Sequence, residues 1–185
     1  MRLLSVGLAA ALALCTGCVW QPVVYDEPAQ EKASAAVAAF ESDARLNRFF
    51  QESVAYAVFP DAFRAGTGFG GAFGTGWLFE SGDVSARVTL FEAFAGADLG
   101  AQVYRSIIFF RTEAALKDFR RGNFEFTGQA NAAHVVGGQS LTPAYHPDVA
   151  LFVQVKGGLL LEASVGAQRY DVFPLAESSL SGEPE

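Results

Sequence analysis

The chain has 185 residues, 51% hydrophobic and 18% charged, with 17 Phe, 19 Gly and two Cys. A net charge of −7 argues against nucleic acid as a partner and, for the chain as a whole, against anionic surfaces. Both cysteines lie within the first 18 residues, which excludes a disulfide framework or a cysteine metal site in the rest of the chain.

The N-terminus is laid out for export. One basic residue, Arg2, precedes the apolar run Leu3 to Leu14, and Cys15-Thr16-Gly17-Cys18 follows. Twelve apolar residues are too few for a bilayer span of about 20, so the run is an export-signal core. The cut site resembles that of bacterial lipoproteins, with Cys15 where Leu is usual and with Thr16, Gly17 and Cys18 in pattern. The expectation is a signal peptide over residues 1–17 and lipid attached at Cys18. The 168 residues that remain suit one domain. Their net charge is −8, because Arg2 is the only charged residue removed. Residues 18–28 form a lipidated tether. Its stretch Val19 to Pro28 reaches about 35 Å when extended, with Trp20 and Tyr25 suited to the headgroup boundary. Val19 after the anchor fits sorting to the outer membrane, by likeness to other lipoproteins, with the domain facing the periplasm.

Ala29 to Phe40 is Ala-rich, lacks Gly and Pro, and places Ala33, Ala36, Val37 and Phe40 at helical spacing. Ser42-Asp43 caps a second helix with the stripe Leu46, Phe49 and Phe50. Val54 to Phe59 reads as a strand stopped by Pro60. Ser81-Gly82-Asp83 makes a hairpin turn, and Val84 to Phe94 returns with Val84, Ala86, Val88 and Leu90 on one face. A further extended run reaches Thr112, which caps a short helix with Glu113 in its first turn and Gly122 at its end. Residues 124–136, 149–155, 159–165 and 168–173 are the remaining strand candidates. The small, acidic tail 176–185 is expected to be disordered.

Gly66 to Gly76, "GTGFGGAFGTG", holds six glycines in eleven residues and contains G-x-G-x-x-G. The even positions from 66 to 76 are Gly or Ala, whereas odd positions carry Thr67, Phe69, Phe73, Thr75 and Trp77. Alternation with period two is the mark of a strand. A dinucleotide fingerprint requires a helix opening at the third glycine, and a Walker loop requires Gly-Lys-Ser/Thr; neither is present. The glycines therefore serve shape, letting a sheet curl or another element approach. Helices clustered at the front with antiparallel strands behind predict an α+β domain over residues 29–175. Its sheet is expected to be curled and barrel-like, with one short helix inserted between strands.

Few residues point to catalysis. His134 and His146 without nearby Cys do not make a zinc site. Ser140 lacks a nucleophile elbow, and Glu92 with Asp98 is at most a carboxylate pair. The expectation is a protein that is not an enzyme, with no catalytic, metal or cofactor site. One basic cluster stands out: Arg111, Lys117, Arg120 and Arg121, the last three on one helical face. Such a face attracts phosphate headgroups, and equally suits a solvated helix partly neutralised by Glu113 and Asp118. Arg64, ahead of the glycine stretch, is a further headgroup candidate.

The blocks Phe49–Pro60 ("FFQESVAYAVFP"), Gly68–Gly82 ("GFGGAFGTGWLFESG"), Gln102–Phe110, Gly122–Phe126 and Lys156–Tyr170 ("KGGLLLEASVGAQRY") resemble the SYLF domain in order and spacing. The resemblance covers roughly residues 33–173. Eukaryotic members bind phosphoinositides in membrane and actin remodelling, and bacterial members are often exported lipoproteins for which lipid binding is proposed. Thr75 stands where family members often carry Lys, and Asp98 where they carry an uncharged residue. The resemblance implies lipid or membrane association, with membrane lipids as partner and no catalytic residues. Together with Cys18 and the basic cluster, the expectation is a membrane-anchored lipoprotein that binds anionic headgroups or lipid-like ligands at the membrane surface. The alternative is an interaction lipoprotein that docks an envelope protein and has no lipid ligand beyond its anchor.

Overall fold

The structure, a computed structural model, describes residues 27–122, 125–127, 132–134, 148–161 and 164–175, with backbone alone at 27, 97–98, 125–127, 132–134, 158–161 and 164–167. Cys18, the tether before residue 27, Ser140, His146 and the tail 176–185 lie outside the described residues, as do the side chains of Asp98 and His134.

The front of the domain is helical, as its apolar spacing predicts. α1 spans Glu27–Glu41 and buries Ala33, Ala36, Val37 and Phe40. The Asp43 carboxylate then accepts the Arg45 N–H at 3.0 Å and caps a 3-10 turn, Ala44–Leu46. The Arg45 side chain also hydrogen-bonds this carboxylate, which holds it below the usual aspartate range. α2, Asn47–Glu52, follows and seats Phe49 fully in the core.

Two very long strands come next, β1 (Ala55–Glu80) and β2 (Asp83–Phe110). They pair antiparallel from Ala55↔Phe110 to Glu80↔Asp83, joined by the expected turn with Ser81 and Gly82 both at positive φ. The predicted stop at Pro60 does not occur. Among the described residues β1 bonds only to β2, and the ladder shifts register between Phe59 and Ala62. A bulged edge strand tolerates the missing proline N–H. α3 (Glu113–Arg120) is capped by Thr112 and followed by Gly122 at φ 69. β3 (Glu125–Thr127), β4 (Ala132–His134), β5 (Val149–Leu161) and β6 (Ser164–Pro174) complete the described sheet.

β2 organises the sheet. Its residues 86–96 pair with β6 and its residues 99–110 with β5, both antiparallel. β3 extends the β6 side, and β4 runs parallel to β5. The α+β class is as expected, but the sheet does not close into a barrel: among the described residues it runs β3-β6-β2-β5-β4, with β1 bonded to β2.

β1 nevertheless doubles back on itself. In a straight strand Val58 and Gly76 would lie about 60 Å apart. Here a Cβ at Gly76 would sit 2.4 Å from the Val58 carbonyl oxygen, and one at Gly70 2.2 Å from that of Ala65. The fold lies at Gly68, whose φ of +82 suits glycine and where the ladder slips between Thr67 and Phe69. The two limbs of β1, residues 55–66 and 69–80, thus touch through the glycine face. Only a face without side chains permits that distance.

Two cores result. The inner one joins Phe59 and Leu78 of β1 to Val88, Ile108, Leu151 and Tyr170, with Leu116 and Phe119 of α3 against it. The outer one lies between the helices and the opposite sheet face, where Phe40, Leu46 and Phe49 meet Val58, Trp77, Phe79, Phe109 and Phe152. Phe49 packs edge-on against Phe152 at 4.8 Å between centroids, worth about 0.5–1.5 kcal/mol beyond its area.

Candidate functional site

Arg64 sits on the inward face of the first limb and is only 6% exposed. Its Nη1 donates to Glu92 Oε1 of β2 at 2.5 Å, and its guanidinium lies 3.8 Å from the centroid of the Phe94 ring. That ring occupies the room left by missing side chains, since Cβ atoms at Gly66 and Gly70 would fall 2.6 and 2.5 Å from its atoms. Gln168 Nε2 of β6 donates to Glu92 Oε2 at 3.1 Å, and the Tyr170 hydroxyl donates to Gln168 Oε1 at 2.9 Å. Burial, followed by the nearby Tyr104 and Glu92, pushes the Tyr170 hydroxyl pKa well above its ordinary 10.0. The chain Arg64–Glu92–Gln168–Tyr170 ties the first limb of β1 to β2 and β6. Arg64 is therefore committed to an interior carboxylate and does not present its charge to a surface ligand. Glu92 serves this ion pair.

The remaining basic candidates gather elsewhere. Arg64 pairs with Gln102 in the ladder, nine residues along β2 from Arg111, or about 30 Å. Arg111 Nη2 bridges to Asp148 at 2.5 Å, and Arg120 bridges to Glu80 beside the β1–β2 turn. Lys117 and Arg120 occupy the last turn of α3, where cations complement the helix dipole. Lys117 and Arg121 are exposed and carry no ion pair among the described residues. Two solvent-facing cations are what the predicted cluster amounts to.

A different surface stands out. The odd face of the second limb is outward, and α1 covers only part of it: Trp77 is 7% exposed, while Phe73 is 62% and Phe69 76% exposed. Phe73 lies directly opposite Phe91, Thr67 opposite Leu99, and Phe63 opposite Val103; Phe91 and Leu99 are each 60% exposed. The Phe63 and Phe73 rings, one from each limb, approach to 5.7 Å. From Ala65 to Phe79 the chain has no charged residue. This aromatic end is about 36 Å along the limb from Glu80, the partner of Arg120, given eleven residues at strand rise. An open pocket of about 610 Å³ adjoins it, walled by Pro28 and Lys32 of α1, Phe63, Phe73 and Trp77 of β1, and Val103 of β2.

The aromatic alternation at 69, 73 and 77 was visible in sequence; that α1 would stop short of Phe73 was not. The Arg64–Glu92 pair was missed, although a signal existed. Ala86, Val88 and Leu90 point inward, and the same parity carries Glu92 and Phe94 inward. Among the described residues no group of three or more His, Cys, Asp or Glu could hold a metal ion, and no helix is long and apolar enough to cross a membrane. No family model matches the chain, and no curated protein matches it.

Proposed function

We propose that this protein is a lipid-anchored envelope lipoprotein, attached through Cys18 on the periplasmic side of the outer membrane, whose SYLF-like domain binds lipid at the membrane surface. The observation that carries the reading is the exposed aromatic end of the β1–β2 sheet, with Phe69, Phe73, Phe91 and Leu99 each at least 60% exposed and no charged residue on β1 from Ala65 to Phe79. Exposed apolar groups that form a contiguous patch mark a binding surface. The short tether from Cys18 holds the domain within about 35 Å of the lipid surface. The acidic balance of the chain and the pairing of Arg111 and Arg120 favour apolar contact over headgroup charge, leaving Lys117 and Arg121 a secondary part.

The test is co-sedimentation of the unlipidated chain Val19–Glu185 with neutral phosphatidylcholine vesicles and with vesicles containing phosphatidylglycerol. Binding to both is expected. Phe69→Asp/Phe91→Asp should weaken it by about two orders of magnitude, each buried Phe contributing roughly 1.5–3 kcal/mol. Lys117→Glu/Arg121→Glu should change binding to the anionic vesicles only. Absence of binding to either vesicle contradicts the proposal, and capture of a single envelope protein without vesicle binding replaces it with a protein-docking role.

A further inference from the structure

The pocket beside the aromatic end has walls of unusual origin. Its first wall is the opening turn of α1, with Pro28, Ala29 and Lys32; its others are the two limbs of β1 and Val103 of β2. Ala62 and Gly74, where the limbs touch, also line it. The lining is dominated by Phe63, Phe73, Trp77, Val103 and Pro28, so it suits an apolar occupant, and about 610 Å³ is within the usual range for one small ligand, roughly 300–1,000 Å³. Lys32 is exposed on the α1 side and has no ion pair among the described residues. Thr75 supplies a hydroxyl to the lining, and Asp61 a carboxylate that is paired with Lys156.

The chain itself points to the occupant. The residues outside the structure end at Asp26, two positions before Pro28 on the pocket wall, and Cys18 lies ten residues before that proline. A domain anchored there by lipid has its pocket opening within a tether length of the bilayer. We infer that the pocket between α1 and the folded β1 strand takes one acyl chain of a membrane phospholipid, with Lys32 at the opening toward the lipid phosphate. The inference rests on the proposed function and makes it specific: the aromatic end seats on the bilayer while one lipid tail enters the protein. Phe63 and Phe73, one from each limb, flank that tail, and Trp77 lies deeper under α1.

Trp77 is a built-in reporter, because the chain has two tryptophans and the other, Trp20, is in the tether. The lipidated protein carrying Trp20→Phe is reconstituted into vesicles of phosphatidylcholine and phosphatidylglycerol, with and without brominated acyl chains. A pocketed tail has most of its surface against the lining, so bromine contact should lower Trp77 emission roughly twofold. Thr75→Phe fills the pocket with a ring at an exposed position. It should abolish the loss while circular dichroism and the melting temperature remain unchanged. Phe63→Asp/Phe73→Asp, also at exposed positions, should act likewise by making the lining polar. Unchanged Trp77 emission in brominated vesicles overturns the inference, including the case in which tether residues fill the space. Quenching that persists in both variants also overturns it, since the bromines would then reach Trp77 by another route. If the unlipidated chain still sediments with vesicles, the proposed function survives either result.

Discussion

Trp77 and Phe73 lie four residues apart on the same face of the same strand, yet one is 7% and the other 62% exposed. Each follows a small residue in sequence, Ala72 before Phe73 and Gly76 before Trp77. The difference is made by α1, the 3-10 turn and α2, which lay Phe40, Leu46 and Phe49 against Trp77 and Phe79 and leave Phe73 and Phe69 exposed. A strand face that is uncharged from Thr67 to Phe79 is thus divided into a structural half and an open half. The inner face shows no such division, because the glycines there bring the limbs of β1 into contact along their length. Stability should therefore be concentrated on the glycine face and the covered half, and binding on the open half.

The strongest way to break this division is at the glycine face. Gly70→Val would place a side chain where even a Cβ lies 2.2 Å from the Ala65 oxygen, and should cost about 3 kcal/mol or more. Gly157→Ala, with nothing within 4 Å of its Cβ position, is the matching control and should stay near wild type in urea unfolding. Glu92→Ala removes a buried carboxylate from a guanidinium whose side chain is 7% exposed, and should cost about 3 kcal/mol. Glu92→Gln should cost less, because it keeps an acceptor for Arg64.

The division of the aromatic face is tested by a paired truncation. Trp77→Ala should lose about 3–5 kcal/mol. Phe73→Ala should stay within about 0.5–1 kcal/mol, as surface changes do, and should reduce vesicle binding instead. Equal losses of stability would mean that the two halves are not distinct. The smallest effect is alkaline. Tyr170 keeps its proton in the folded state to higher pH than in the unfolded chain, since its folded pKa lies well above 10.0. Its contribution is therefore fully present below pH 10 and is lost as pH rises from there through the folded value. Melting temperature should fall more steeply above pH 10 in the wild type than in Tyr170→Phe.

Much of this architecture was legible. Alternation through Gly66–Trp77 gave the strand and its two faces. Asp43, Thr112 and Gly122 marked helix ends by capping chemistry, and Ser81-Gly82 marked the hairpin. Two features were not legible. Pro60 read as a break, yet one strand runs through it from Ala55 to Glu80, because whether a proline ends a strand depends on whether its N–H side has a neighbour. The role of Arg64 also depends on tertiary contact: Glu92 is 28 residues away and reaches it only because β1 folds over. The basic residues near α3 looked like a site because charge clusters are visible in sequence, whereas Asp148 and Glu80, which engage Arg111 and Arg120, are distant in the chain.

The most direct test compares the two ends of the molecule during membrane contact. The chain Val19–Glu185 has no cysteine, so Phe69→Cys and Lys117→Cys each carry one polarity-sensitive fluorophore. On addition of phosphatidylcholine and phosphatidylglycerol vesicles, the label at residue 69 should shift to the blue and the label at residue 117 should stay as in water. A blue shift at residue 117 with none at residue 69 would place the basic helix on the lipid and contradict the account.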